Sequence, residues 1–176
     1  KSLPLQFISH PMKRISYREV KRVYIFGTMG SGKTTLAKKI SDALHLPHYD
    51  LDDIFWKRKY DLKRTDDACR KLLQKITRKK CWVVEGVFSR WIDPAAKKCD
   101  LMIWLDIPFP RLAYRLILRK LQRRPGQYKE TWKDTFRMVK QNYQYASLRK
   151  GNLEEGDTWA HRSRKIHSSL IKKHAI

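Results

Sequence analysis

The residues Gly27-Thr28-Met29-Gly30-Ser31-Gly32-Lys33-Thr34 carry the strongest chemical signal in the chain. Their spacing fits the phosphate-binding loop pattern GxxxxGK[ST]. Glycines at these positions let the backbone turn tightly, so that successive N–H groups and the start of the following helix converge on a polyphosphate. Gly27, Met29, Gly30, Ser31, Gly32 and Thr35 then supply loop contacts. Lys33 adds a positive charge near the β- and γ-phosphates, and the Thr34 hydroxyl can hold Mg²⁺. The plain alternative is a glycine-rich turn that binds nothing. The flanks argue against it: residues 23–26 are an apolar and aromatic strand candidate, and residues 35–44 have a helical pattern.

A phosphate loop alone does not separate kinases from GTPases, motors or transporters, and the acids narrow the choice. Phosphoryl transfer needs one carboxylate to orient Mg²⁺ and a second to orient or deprotonate the attacking group. Glu85, at the end of Trp82-Val83-Val84, fits the first role. Asp52, flanked by Asp50 and Asp53, fits the second, as an acid facing the acceptor. The competing reading is that these acids cap the helices that follow strands. Asp106 precedes Ile107-Pro108 and reads as structural.

Arginines supply the complementary charge. Arg115 and Arg119 lie four residues apart and share a helix face, with Arg111 a turn earlier and Arg123 and Arg124 at a following turn. Guanidinium groups clamp phosphate oxygens in a bidentate fashion. Local acids are too scarce to pair with all of them, which favours phosphate binding over surface ion pairs. Arg90, four residues beyond Gly86, could meet an anionic acceptor. Among the aromatic residues, Trp91, Trp132, Tyr143, Tyr145, Tyr60 and Trp159 read as core, whereas Trp56 follows Asp52 and Asp53 closely enough to wall an acceptor pocket.

These groups need a scaffold. Strand candidates at 23–26, 48–53, 81–86 and 101–106 alternate with helical segments, and their continuous apolar runs suit strands covered on both faces. The order implies βαβ units in a doubly wound α/β sheet, with the loop and the acids at the carboxyl ends of the strands. Helices are expected over 66–79, capped by Thr65, and over 110–121, 131–148 and 158–173. Residues 1–20, with Pro4 and Pro11, read as an extended N-terminal arm, and residues 21–176 as one domain with an arginine-rich lid at 111–150. Lys1 stands where Met would be expected, so the start reads as processed, trimmed or incomplete, with Met12 a candidate initiator.

At 176 residues the chain can build one sizeable core. Its 40 Lys and Arg against 17 Asp and Glu give a net charge of +23, a field that attracts nucleotides, nucleic acid or an acidic partner. The excess is steep across 111–150, where twelve basic residues face only Glu130 and Asp134. Cys69, Cys81 and Cys99 form no pair or metal-type cluster, and no apolar run approaches the roughly 20 residues of a membrane helix. A soluble protein of the reducing cytoplasm is expected, without a membrane partner.

Taken together, residues 27–35, the Leu51-Asp52-Asp53-Ile54-Phe55-Trp56 run, Trp82-Val83-Val84-Glu85-Gly86, residues 100–108 and the arginine pairs resemble the adenylate-kinase-related P-loop NTPases. The closest similarity is to the small kinases called DNA topology modulation proteins. The resemblance covers residues 22–169. It implies a three-layer, nucleotide-kinase-like sandwich with about five parallel strands and a helical, arginine-rich lid. It also implies ATP and Mg²⁺ at the loop, with Thr34 and Glu85 on the metal. The acceptor would lie near Asp52, Asp53, Trp56, Glu85, Gly86 and Arg90, and the lid arginines would be Arg115, Arg119, Arg123 and Arg124. In place of the Asp-Gly-Phe-Pro-Arg element of adenylate kinases stands Glu85-Gly86-Val87-Phe88-Ser89-Arg90, which weakens the case for AMP. The chain stops where a last strand would be expected, which reads as an incomplete C-terminus.

Three functions follow. The first is transfer of the γ-phosphoryl of ATP to a small hydroxyl or phosphate acceptor, with a nucleoside or nucleotide foremost. The second is a nucleic-acid-associated ATPase that works through its basic surface. The third, a polynucleotide 5′-hydroxyl kinase, joins both features.

Overall fold

The computed structural model describes residues 6–9, 19–58, 61–122, 131–147 and 164–174. Arg22–Gly27 (β2), His48–Asp50 (β3), Trp82–Gly86 (β6) and Leu101–Leu105 (β7) run parallel. A fifth strand, Gln6–Ser9 (β1), completes the sheet in the order β1-β7-β2-β6-β3. The expectation of about five parallel strands is therefore corrected in one respect. The parallel set has four members, and the remaining place is taken by part of the N-terminal arm, which pairs antiparallel with β7 from Gln6 opposite Trp104 to Ser9 opposite Leu101.

Each central strand is buried along nearly its whole length because both faces are covered. Tyr24, Phe26, Trp82, Val84 and Trp104 pack on one side with Cys69 and Leu73 of Asp66–Thr77 (α3), Ala95 and Ala96 of Asp93–Ala96 (α4), and Leu170 and Ile171 of Arg164–His174 (α7). Val23, Ile25, Val83, Ile103 and Leu105 face the other way, against Ala37 of Lys33–Leu44 (α1) and Leu112 of Phe109–Gln122 (α5). This side-to-side alternation is the period of two that a strand imposes. The result is a three-layer α/β sandwich with a doubly wound sheet.

The helix starts follow local chemistry. Thr65 caps α3 as the sequence suggests, its side chain accepting from the Ala68 N–H. The strand expected over 48–53 is corrected: it ends at Asp50, whose carboxylate accepts from the Asp52 N–H at 2.8 Å and starts a short helix, Leu51–Phe55 (α2). Asp52 and Asp53 thus ride on a helical turn. A two-stranded ribbon, Trp56–Arg58 (β4) with Leu62–Lys63 (β5), follows. Arg64 holds the exit of α2 by donating from Nη1 to the carbonyls of Asp53, Ile54 and Trp56.

At the amino ends of the strands, away from the loop, Asp100 ties β2 to β7. It accepts from the backbone N–H groups of Lys21 and Arg22 and from the Arg22 guanidinium. Trp132–Ser147 (α6) lies beside α5, where Phe109 and Tyr143 meet edge to face with ring centroids 5.4 Å apart. No helix among the described residues is long and apolar enough to cross a membrane.

Candidate active site

The loop joins β2 to α1 with glycines where the backbone takes positive φ. Gly30 (φ 75°) and Gly32 (φ 98°) are left-handed, a conformation that suits glycine and turns successive N–H groups to one side. A Cβ on Gly27 would lie 2.8 Å from the Leu105 carbonyl oxygen of β7, so the loop and its neighbouring strand approach closely only without a side chain there. The N-cap of α1 is Gly32 itself, which makes no side-chain hydrogen bond to the first turn. The first N–H groups of a helix have no acceptor within it. Together with the helix dipole they suit an anion.

Lys33 folds back across the loop and donates from Nζ to the Thr28 carbonyl at 3.0 Å. One residue on, the Thr34 hydroxyl donates to Glu85 Oε1 at 2.7 Å. Glu85 is 2% exposed, at the penultimate position of β6, and is paired in register with Asp50 on β3. Burial pushes its carboxyl up to about 6. The charge of Lys33 and the Thr34 hydrogen bond pull against that rise, while Asp50 and Asp52 add to it. His48 Nε2 lies 3.9 Å from the same Oε1. Lys33, Thr34, Asp50, Asp52 and Glu85, read from three separate stretches of sequence, therefore influence one another at one sheet edge.

A divalent cation fits this donor set. Thr34 and Glu85 offer hard oxygen ligands side by side, and among the described residues no three His, Cys, Asp or Glu side chains gather into a complete cage. One carboxylate beside one hydroxyl would suit Mg²⁺, which keeps several waters and takes one or two carboxylates together with phosphate oxygens.

The arginines divide. Arg115 reaches the loop from α5 and donates from Nη1 to the Ser31 carbonyl at 3.1 Å. Arg119 extends to α6, its Nη2 3.5 Å from the Met138 sulfur, and Arg111 is exposed. Arg123 and Arg124 lie outside the described residues, as do Tyr60 and Trp159. Arg90 is exposed and ion-paired with Asp66 at 2.8 Å, at the start of α3. Asp106 pairs with Arg164 of α7 at 2.5 Å, in keeping with a structural role.

Gly86 abuts α2: a Cβ there would sit 2.6 Å from Leu51 Cβ. Asp53 is exposed. Trp56 is half-buried between the Phe55 ring and Lys63, whose Nζ is 5.7 Å from the indole centroid. Trp91 and Tyr145 are buried, whereas Trp132 and Tyr143 are exposed, contrary to the core reading of those two.

Sequence reasoning missed Asn142. It lies in α6, more than a hundred residues from the loop, and is fully buried against it. Its only sequence signal is an amide inside an otherwise amphipathic helix, which reads equally well as a solvated position.

The family described as AAA domain matches residues 23–133, more than half of the chain and all of the loop, acid and Arg115 positions above. The chain belongs to that AAA domain family. Its architecture is that of a P-loop α/β protein. Two curated relatives are similar to this AAA-domain protein. Uncharacterized protein YqaC of Bacillus subtilis (strain 168) is 35% identical over 104 residues, 58% of each chain. A shikimate kinase of Azobacteroides pseudotrichonymphae genomovar. CFP2 is 29% identical over 72 residues, 41% of this chain and 42% of that one. The matched stretches thus span about half of those relatives' lengths. Among solved structures, a gluconokinase from Sinorhizobium meliloti 1021 aligns with a TM-score of 0.48 at 16% identity, covering 88% of this chain and 93% of that one. A shikimate kinase from Bacteroides thetaiotaomicron aligns with a TM-score of 0.48 at 19% identity, covering 88% and 96%.

Proposed function

We propose that this AAA-domain protein is an ATP-dependent kinase of the cytoplasm that transfers the γ-phosphoryl group to a small hydroxyl or phosphate acceptor. A nucleoside or nucleotide is the first acceptor class to test. Within the family we assign it to the small kinases called DNA topology modulation proteins. The observation that carries the reading is the contact between Thr34 on the loop helix and buried Glu85, with Lys33, Asp50 and Asp52 around it.

Each residue has a part in this reading. The loop amides and Lys33 bind the triphosphate, and Arg115 anchors α5 to the loop while bringing a guanidinium beside it. Thr34 and Glu85 hold Mg²⁺, which when bound neutralises charge on the phosphate oxygens. Asp52 orients the acceptor's attacking oxygen, or takes its proton, from the first turn of α2. Gly86 lets α2 sit close enough to β6 for that. Phosphoryl transfer asks for positioning and charge stabilisation above all, and this constellation supplies both.

The test is a label transfer. The protein is incubated with γ-labelled ATP and Mg²⁺ and offered nucleosides, nucleotides, shikimate, gluconate, other small hydroxyl compounds, and DNA and RNA 5′ ends. Label on a small acceptor supports the kinase. Label on nucleic acid ends points instead to a polynucleotide kinase. The net charge of +23 keeps a further reading in view: hydrolysis stimulated by nucleic acid, with no acceptor labelled, would identify a nucleic-acid-associated ATPase.

A further inference from the structure

The Asn142 side chain spans two loop residues at once. Its Oδ1 accepts from the Thr28 hydroxyl at 2.5 Å, and its Nδ2 donates to the Met29 carbonyl at 2.9 Å. The assignment of the amide follows from chemistry, because a carbonyl can only accept and so the nitrogen must face Met29. Few side chains could replace it: the position needs an acceptor and a donor on one short, planar group. Asn142 is fully buried, and Thr28 is 3% exposed.

The helix that carries Asn142 is pinned one turn later. Tyr145, on the same face, accepts from Trp104 Nε1 at 3.3 Å and pairs with His167 Nδ1 at 2.9 Å. Trp104 belongs to β7 and His167 to α7, so the backing of Asn142 is the sheet and the C-terminal helix. The other end of the clamp is the loop immediately before Gly30, Gly32 and Lys33. The Thr28 carbonyl also receives Lys33 Nζ, so the residue that Asn142 grips holds the phosphate-binding lysine.

We propose that Asn142 is a positioning residue for the phosphate loop, setting ATP affinity by holding Thr28 and Met29 in the conformation that turns the loop amides and Lys33 toward the triphosphate. The inference rests on the reading of the loop as an ATP site. It extends that site to α6, which no part of the loop motif marks.

The test measures binding directly and does not depend on the acceptor. Affinity for a fluorescent ATP analogue with Mg²⁺ is titrated for the wild type, Asn142→Ala, Asn142→Asp and a control on the exposed side of α6, Gln144→Ala. Thermal unfolding without nucleotide is followed in parallel. Loss of the clamp should weaken ATP binding by roughly tenfold in Asn142→Ala, the effect of losing hydrogen bonds to buried groups. Asn142→Asp keeps the volume and the acceptor for Thr28 but sets a carboxylate against the Met29 carbonyl, so it should bind more weakly still. Gln144→Ala should match the wild type. Once an acceptor is known, kcat at saturating ATP should change far less than KM for ATP. A merely structural Asn142 would lower the melting temperature and leave the affinity of the folded fraction within twofold, which would overturn the proposal. A wild-type protein that binds no ATP would overturn the site itself, and the role of Asn142 with it.

Discussion

The Thr34 hydroxyl donates to Glu85 Oε1 at 2.7 Å, joining the first turn of α1 to the carboxyl end of β6. This contact gives the phosphate loop an acid, and that acid is buried at a cost to the fold. Its pKa of about 6, against an ordinary 4.5, means that the folded state holds the proton more tightly than the unfolded chain does. Stability therefore falls as pH rises from about 4.5 to about 6 and stays lower above that, by about 2 kcal/mol. Glu85→Gln should remove this slope. Chemical denaturation with a chelator present and no nucleotide should find the variant more stable at pH 7.5 and nearly equal to the wild type at pH 4, at about those two conditions, while its Mg²⁺-dependent turnover collapses. A variant no more stable at the higher pH would show that Glu85 is not strained by burial.

In the proposed kinase, Gly86 bears on the acceptor side separately. A Cβ at this position would press on Leu51 at 2.6 Å and push α2, with Asp52, away from β6. Gly86→Ala should lower kcat/KM for the acceptor by roughly tenfold or more, since displacements of about an ångström cost that much. Affinity for ATP should stay within about twofold, because the loop is not displaced. Steady-state kinetics with each substrate varied in turn separates the two effects. An equal loss toward both substrates would mean that α2 does not serve the acceptor.

Among the described residues, Arg115 reaches the loop from α5, donating to the Ser31 carbonyl at 3.1 Å. Arg115→Ala should raise KM for ATP by roughly tenfold, the loss of a charge-assisted hydrogen bond and a nearby positive charge. Arg115→Lys should recover part of the loss, since it restores the charge without the planar fork. Unchanged KM in both variants would remove Arg115 from the site.

Much of this arrangement was legible before folding, because the loop motif and the end-of-strand acids are local signals. The apolar runs at 82–84 and 101–105 mark doubly covered strands, and βαβ order then brings Gly27 and Glu85 to one edge. The misreadings have physical reasons. The run after His48 looks like a strand until Asp50 is recognised as a cap, a competition between side chain and ladder that composition does not resolve. The pairing of Gln6–Ser9 with β7 spans nearly the whole described sheet in sequence separation, and no period in the arm announces it. Asn142 was hidden for the same reason: its partners, Thr28 and Met29, are neighbours only in three dimensions.

Lys33 offers the most direct test of the account. The wild type and Lys33→Ala, both shown to be folded by melting curves, are compared for transfer of label from γ-labelled ATP to the acceptor identified by the panel. The side chain is only half-buried and bonds to a carbonyl of its own loop, so the fold should survive its loss. Turnover should fall by at least about 100-fold, the scale of losing one positioned charge in the transition state. A folded Lys33→Ala protein that transfers phosphoryl groups at the wild-type rate would contradict it.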